Sequence, residues 1–184
     1  IPQMCNHFHI SLQSGCDETL KRMNRKYTTD EYAHCTELIR KYFENPAFTT
    51  DIMVGFPGET DEEFEKSLEF MKKIKFAEAH VFAYSRRKGT KADKMPNQID
   101  KKTKEMRSHK MAQVCNELKC NYMNSLVGKE YNVLFERKIQ DGIFEGHMTN
   151  YVKVHAPSDA DISHTIERVA ITGVSNGACT GILV

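Results

Sequence analysis

The sequence predicts an α/β protein, a parallel sheet with covering helices, followed by a small antiparallel β-barrel. Three observations predict it. Short apolar strands alternate with capped amphipathic helices over the first 124 residues. Each of those strands ends in a polar or glycine-bearing turn. Beyond Leu126 no helical period survives, and short alternating runs broken by glycine take over. A boundary near Ser125 therefore divides the chain into residues 1–124 and 125–184.

The elements follow in order. The run "FHISL" stops at Gln13-Ser14-Gly15, as a strand does when it ends in a tight turn. Thr28 and Glu31 have the spacing of a capping box and open a helix with Tyr32, Cys35, Ile39 and Tyr42 at helical spacing, which "ENPAF" stops. A second strand, "FTTDIMVGFPGET", is closed by Gly55, Pro57 and Gly58. A second capping box, Thr60 to Glu63, starts a helix with Phe64, Leu68, Met71 and Ile74 on one face. "AEAHVFAYS" is the third strand and leads into the polar loop "RRKGTKADKMP". A long helix from Asp100 to about Asn124 carries Met111, Cys115, Leu118 and Tyr122 at core spacing. The runs "GKEYNVLFE", "GIFEGHMTNYVKVHAP" and "RVAITGVSNGACTGILV" supply the barrel strands.

Of 184 residues, 40% are hydrophobic and 28% charged, and the formal net charge is +1, which fits a globular chain of one or two domains. No apolar run approaches the roughly 20 residues that span a bilayer, and "IPQMCNHFHI" lacks the regions of a signal peptide. A cytoplasmic protein with no membrane partner is expected. The six cysteines form no CxxC pair and are read as free thiols, with Cys115 and Cys120 as helix packing. His7 and His9 flank Phe8 and point to one face; with no third ligand close by they are read as hydrogen-bonded sheet histidines, and no metal site is expected.

In parallel sheets and β/α barrels, ligands bind at the C-terminal ends of strands. Three such ends are legible: Gln13-Ser14-Gly15, Gly55-Phe56-Pro57-Gly58-Glu59 and Tyr84-Ser85-Arg86. Each alone is equally well an ordinary turn; together they favour a site. A second feature is electrostatic. From Arg86 to Lys110 ten lysines and arginines face three acids, a local excess of seven positive charges. Such an excess suits the phosphate backbone of RNA, and the plainer reading is a solvated loop and helix face.

The blocks "HISLQSGCDETLKRMNRKYT", "TDIMVGFPGETDEEFEKSLEF" and "FAYSRRKGTKA" resemble the second half of the radical S-adenosylmethionine domain of tRNA methylthiotransferases. The trailing β runs are similar to the TRAM module, an OB-like barrel. "ISLQSGCDETLKRMNR" is closest to the branch that methylthiolates N6-threonylcarbamoyladenosine beside the anticodon. The resemblance implies a partial (β/α) TIM barrel over residues 1–124, a TRAM-like barrel over 125–184, and a tRNA anticodon stem-loop as partner. It implies S-adenosylmethionine and two [4Fe–4S] clusters as cofactors of a longer parent enzyme. The cysteines of those clusters lie upstream of this region in the family, so the chain is read as a C-terminal fragment with no catalytic residue of its own. An exposed sheet edge, with dimerisation through it, is expected.

Site residues follow from the same resemblance. Gln13 and Ser14 are expected near the cofactor ribose, and Arg25 at a cofactor carboxylate, which its planar fork suits; its plainer reading is a solvated helix end. Val54, Phe56 and Pro57 are expected to line the adenine pocket. Glu59 either joins that pocket or supports the next helix N-terminus as an anion. Arg86, Arg87 and Lys88 in the loop, with Lys129, Arg137, Lys138 and Tyr151 in the barrel, are expected to contact RNA, the tyrosine by stacking. Tyr151 alternates with Val152 and Val154, so packing is its other reading. Two rival functions stand beside this one: a methylthiotransferase acting on N6-isopentenyladenosine, and a tRNA-binding module without catalysis.

Overall fold

The computed structural model describes residues 4–184, which form two compact units. One comprises His9–Tyr42 and Phe48–Leu118. The other comprises Lys119–Val184 with Phe43–Ala47 and the N-terminal residues up to Phe8.

The elements before the barrel are β1 (His7–His9), α1 (Asp17–Arg22), α2 (Thr29–Tyr42), β2 (Ala47–Val54), α3 (Asp61–Ile74), β3 (Glu78–Ala83) and α4 (Lys101–Asn124). The strands form one sheet in the order β1-β2-β3. β2 and β3 run parallel, from Thr49 opposite Glu78 to Val54 opposite Ala83. Phe48, Thr50, Ile52 and Val54 alternate along β2 and are buried. Thr50 tolerates burial because its hydroxyl donates to Ile10 O at 2.7 Å and accepts from Leu12 N at 2.8 Å. Against this core α3 buries Phe64, Leu68, Met71 and Ile74, the stripe that its sequence spacing predicts. Its capping box is complete, with Thr60 Oγ1 accepting from Glu63 N and the Glu63 carboxylate accepting from Thr60 N, each at 3.2 Å. Thr28 and Glu31 do the same for α2.

On α2 the predicted stripe is corrected. Cys35 is exposed and Tyr42 is 76% exposed, whereas Tyr32, Ala33 and Thr36 are buried. A threonine fits the buried face because its hydroxyl donates to Ala33 O at 2.8 Å inside the helix itself.

The second unit is a closed barrel of β4 (Glu130–Gln140), β5 (Ile143–Met148), β6 (Lys153–Pro157), β7 (Ile166–Ser175) and β8 (Ala178–Leu183), in the order β4-β5-β6-β8-β7. The expectation of a wholly antiparallel barrel is corrected by counting: strands in a closed ring of five cannot all alternate in direction. The one parallel junction is β6 with β8, at Val154 opposite Cys179 and His155 opposite Thr180. Val133, Phe135, Phe144, Val154, Val169 and Ile171 fill the interior, with Met123 and Leu126 packed in from the end of α4. Tyr122 Oη donates to Asn45 O at 2.7 Å and accepts from Asn150 Nδ2 at 3.2 Å, joining Phe43–Ala47 to this unit. No helix among the described residues is long and apolar enough to cross a membrane.

The turn after β1 is pressed against α3. A Cβ on Gly15 would stand 2.7 Å from Phe70 Cβ and 2.9 Å from Ser67 Cα. Gly15→Ala is therefore expected to destabilise the protein by about 1–3 kcal/mol through overpacking, measured by urea unfolding.

Candidate functional site

The free face of the sheet is built from alternation. Thr49, Asp51 and Met53 of β2 point away from the helices and stand opposite Glu78, His80 and Phe82 of β3. His9 joins them. Its Nδ1 lies 3.1 Å from Thr49 Oγ1 and its Nε2 3.3 Å from Asp51 Oδ2, while Ser11 Oγ donates to the same Asp51 oxygen at 3.0 Å. A carboxylate only accepts, so the contact with Asp51 is a hydrogen bond donated from His9 Nε2. The His80 ring is 6.5 Å from that of His9. Asp51, Ser11, His80 and Phe82 are absent from the sequence-derived site; the period-two pattern of Thr49, Asp51 and Met53 was the signal that could have found them.

The three strand ends converge on one edge of this sheet. Gln13 adopts φ +69°, and its amide and carbonyl both pair with β2, N to Asp51 O and O from Met53 N, at 2.9 Å each. Ser14 turns the other way: fully buried, its hydroxyl lies 3.1 Å from Ser67 Oγ of α3. Gly55, at φ +71°, donates to Glu59 Oε2 at 2.7 Å. Val54, Phe56 and Pro57 are buried behind this turn, and the Phe56 ring meets Tyr84 edge-on at 5.3 Å. Beside them Met53, Phe82, Tyr84, Ser85, Arg87 and Thr90 line a cleft of about 500 Å³. The Tyr84 hydroxyl is buried with no hydrogen-bond partner among the described residues. Of the sequence-derived cofactor residues, Gln13, Val54, Phe56 and Pro57 thus gather at this edge. Arg25 is exposed beyond α1; two residues on, Tyr27 Oη donates to Leu12 O at 2.8 Å and ties that loop to the first strand end.

Glu59 is held from α4. Arg107 Nη1 donates to its carboxylate at 2.8 Å and to its carbonyl at 3.0 Å, and Nη2 donates to Asp61 at 2.6 Å. Both side chains of the Arg107–Glu59 pair are almost fully buried. Burial pushes the Glu59 carboxyl above its ordinary range, against the pull of the Gly55 amide and of Arg107. Lys104 crosses directly over Gly55 and donates to Tyr84 O at 3.1 Å. One face of α4 therefore holds the ends of β2 and β3 together.

Residues 2–71 match the Radical SAM superfamily. The chain's relatives include the threonylcarbamoyladenosine tRNA methylthiotransferase MtaB of Thermotoga maritima, 38% identical over 83% of this chain and 35% of that protein. MtaB of Bacillus subtilis is 36% identical over 92% of the chain and 38% of its own length. The tRNA-2-methylthio-N(6)-dimethylallyladenosine synthase of Acetivibrio thermocellus is 35% identical over 99% of the chain and 38% of its own length. The chain spans only a little over a third of the length of these three relatives, 35 to 38%.

The sequence-derived RNA residues fall in two places. In the loop after β3, Arg86 pairs with Asp93, its Nε donating to Oδ1 at 2.8 Å and its Nη2 to the Asp93 carbonyl at 2.9 Å; Arg87 and Lys88 are exposed. In the barrel, Lys138 pairs with Asp141 at 2.8 Å, Lys129 is exposed, and Arg137 donates to Glu145 at 2.7 Å. Tyr151 is 68% exposed, at φ +64°, with its ring stacked 5.0 Å from His147 and tilted against His7 of the same unit at 5.3 Å. It is not part of the barrel interior.

Glu145 gathers three basic side chains, Lys153 and His155 joining Arg137, each of these two at 3.1 Å. Burial alone would raise its carboxyl; hydrogen bonds from His155, Arg137 and Lys153 outweigh that and bring it down to about 2 from an ordinary 4.5. A depressed acid contributes stability that is complete above 4.5 and lost as the pH falls towards 2. Thermal melts of Glu145→Gln are expected to lose part of the acid-side decline that the parent shows over that interval. At the strand ends, Arg107→Met strands the Glu59 carboxylate and is expected to destabilise by about 3–5 kcal/mol in urea unfolding. Adding Glu59→Gln to that variant is expected to recover part of the loss.

Proposed function

We propose that this chain serves in a tRNA methylthiotransferase that acts at C2 of N6-threonylcarbamoyladenosine beside the anticodon. The observation that carries the reading is the similarity to two MtaB proteins over 83 and 92% of the chain, joined to a cleft at the strand ends where ligands bind in β/α folds. A second reading, action on dimethylallyladenosine, draws on the Acetivibrio synthase, which matches across 99% of the chain. The barrel's order β4-β5-β6-β8-β7, with its parallel β6/β8 junction, supports an OB-like, TRAM-type module. tRNA is the proposed partner, with Arg86, Arg87, Lys88, Lys129, Arg137, Lys138 and Tyr151 as candidate contacts.

The cleft suits the adenosyl part of S-adenosylmethionine. Met53 and Phe82 supply apolar walls, Ser85 and Thr90 polar groups, and the unpartnered Tyr84 hydroxyl a donor in need of an acceptor. Gln13 at the first strand end and Val54, Phe56 and Pro57 behind the second would hold the molecule, which when bound supplies the precursor of a carbon radical and a methyl group. Among the described residues there is no group of three or more His, Cys, Asp or Glu placed to hold a metal ion. What these residues do is bind, orient and exclude water. The Gly55–Glu59 turn presents a fixed backbone, and Phe56 against Tyr84 keeps that edge dry.

Two measurements test this. Tyr84→Phe keeps the ring packing and removes an unsatisfied hydroxyl; the free protein is expected to hold or gain stability by about 1 kcal/mol while affinity for S-adenosylmethionine, read by calorimetry, falls about tenfold. Nucleoside mass spectrometry of tRNA from cells lacking the gene is expected to show loss of the 2-methylthio form of threonylcarbamoyladenosine. Loss of the dimethylallyl form instead selects the second reading, and loss of neither rejects both.

A further inference from the structure

The charge of the chain is unevenly spread in a way that the fold makes meaningful. Residues 125–184 carry five Lys and Arg against seven Asp and Glu, a net of −2, and Arg137, Lys138, Lys153 and Arg168 each stand beside a carboxylate. The positive excess lies in Arg86–Lys110. There, too, half of the cations are already engaged. Arg107 is buried with Glu59 and Asp61, Lys110 pairs with Glu65, Lys101 with Glu105, Arg86 with Asp93, and Lys104 caps Tyr84 O. Arg87, Lys88, Lys91 and Lys94 remain in the loop, exposed and with no acidic partner among the described residues.

The loop that bears them is built rather than loose. Arg86 bridges its two ends through the Asp93 side chain and carbonyl. Thr90 Oγ1 donates to Arg87 O at 2.8 Å and accepts from Asp93 N at 3.2 Å, and Gln98 Nε2 donates to the carbonyls of Ala92 and Met95 at 2.9 and 3.0 Å. A 3₁₀ turn, Ala92–Lys94, follows Lys91, so Lys91 and Lys94, three residues apart, project from the same side. Arg87 and Thr90 are at once members of this loop and walls of the strand-end cleft.

We propose that the Arg86–Lys94 loop is a two-part RNA clamp in which the Arg86–Asp93 pair sets the loop's shape and Arg87, Lys88, Lys91 and Lys94 touch successive phosphates of a single strand passing the cleft. It rests on the RNA reading above and divides its residues: Arg86 is a positioning residue, Lys91 and Lys94 bind phosphate, and the paired barrel cations add little electrostatic affinity. The strand is single because a duplex keeps its bases stacked inward, whereas the cleft wall formed by Arg87 admits a base splayed from a loop.

The test uses the chain itself and a short fluorescein-labelled RNA stem-loop, followed by anisotropy between about 50 and 200 mM salt. Lys91→Ala with Lys94→Ala is expected to lower the slope of log affinity against log salt by about 1.4, or about 0.7 for each single-strand phosphate that no longer has a cation beside it, at unchanged melting temperature. Arg137→Ala with Lys138→Ala is expected to change it by less than half of that. Asp93→Asn decides the role of the clasp, because charge alone and preorganisation predict opposite signs. It removes a negative charge beside the loop cations, so a mere charge effect tightens binding; a clamp binds more weakly, and trypsin cuts faster after Arg87 and Lys88. Tighter binding by Asp93→Asn with unchanged cleavage overturns the clamp, as does a salt slope that survives the lysine pair or falls only with the barrel pair. A parent chain that binds no RNA at any salt sinks the RNA reading itself, while the cleavage rates still report on the clasp.

Discussion

Arg107 reaching Glu59 is the interaction on which the strand-end site depends. An isolated charge buried to this degree is too unfavourable to persist, so each member requires the other, and each takes further hydrogen bonds from or to different elements. Glu59 has one oxygen on Arg107 and on the Gly55 amide, and Arg107 also takes the Glu59 carbonyl and Asp61. The turn after β2, the start of α3 and the first half of α4 are thereby fixed by a single guanidinium. Lys104, one turn earlier on α4, adds the end of β3. The cleft exists because these strand ends cannot drift apart.

Much of this was legible in sequence. The two capping boxes, Thr28 with Glu31 and Thr60 with Glu63, announce helix starts through local hydrogen bonds that need no tertiary context, and both form. The α3 stripe and the existence of the β2 strand were equally plain. What escaped was whatever depends on partners distant in the chain. The burial of Thr36 in place of Cys35 needs knowledge of which face meets the sheet. The pairing of Arg86 with Asp93 separates a structural arginine from its free neighbours, yet the string "RRK" treats all three alike. The Arg107–Glu59 pair spans 48 residues, and nothing local in either segment signals it. Asp51 and His80 lay in runs read as strands, but only the register puts them opposite one another.

The contrast between the two units is one of how charge is used. In the barrel a nearly buried carboxylate, Glu145, draws Arg137, Lys153 and His155 together, and the two cations, Arg137 and Lys153, are occupied internally. In the loop after β3 one pair gives shape and the remaining cations are left for a partner. Net charge for the whole chain, +1, conceals both arrangements. For a protein of this composition, the location of unpaired charge is more informative than its total.

The odd number of barrel strands has a kinetic consequence. Local turns can assemble β4-β5-β6 and β7-β8 as separate pieces, since each junction within them joins neighbours in the chain. The remaining junctions, β4 with β7 and the parallel β6 with β8, bring together residues such as Glu130 and Ala170, or Val154 and Cys179, and bear the entropy of closing long loops. The ring therefore closes at two seams that form together, because either one alone leaves the other's edges open. Its interior residues, Val133 through Ile171, come from strands of both pieces, so their full burial depends on those long-range junctions.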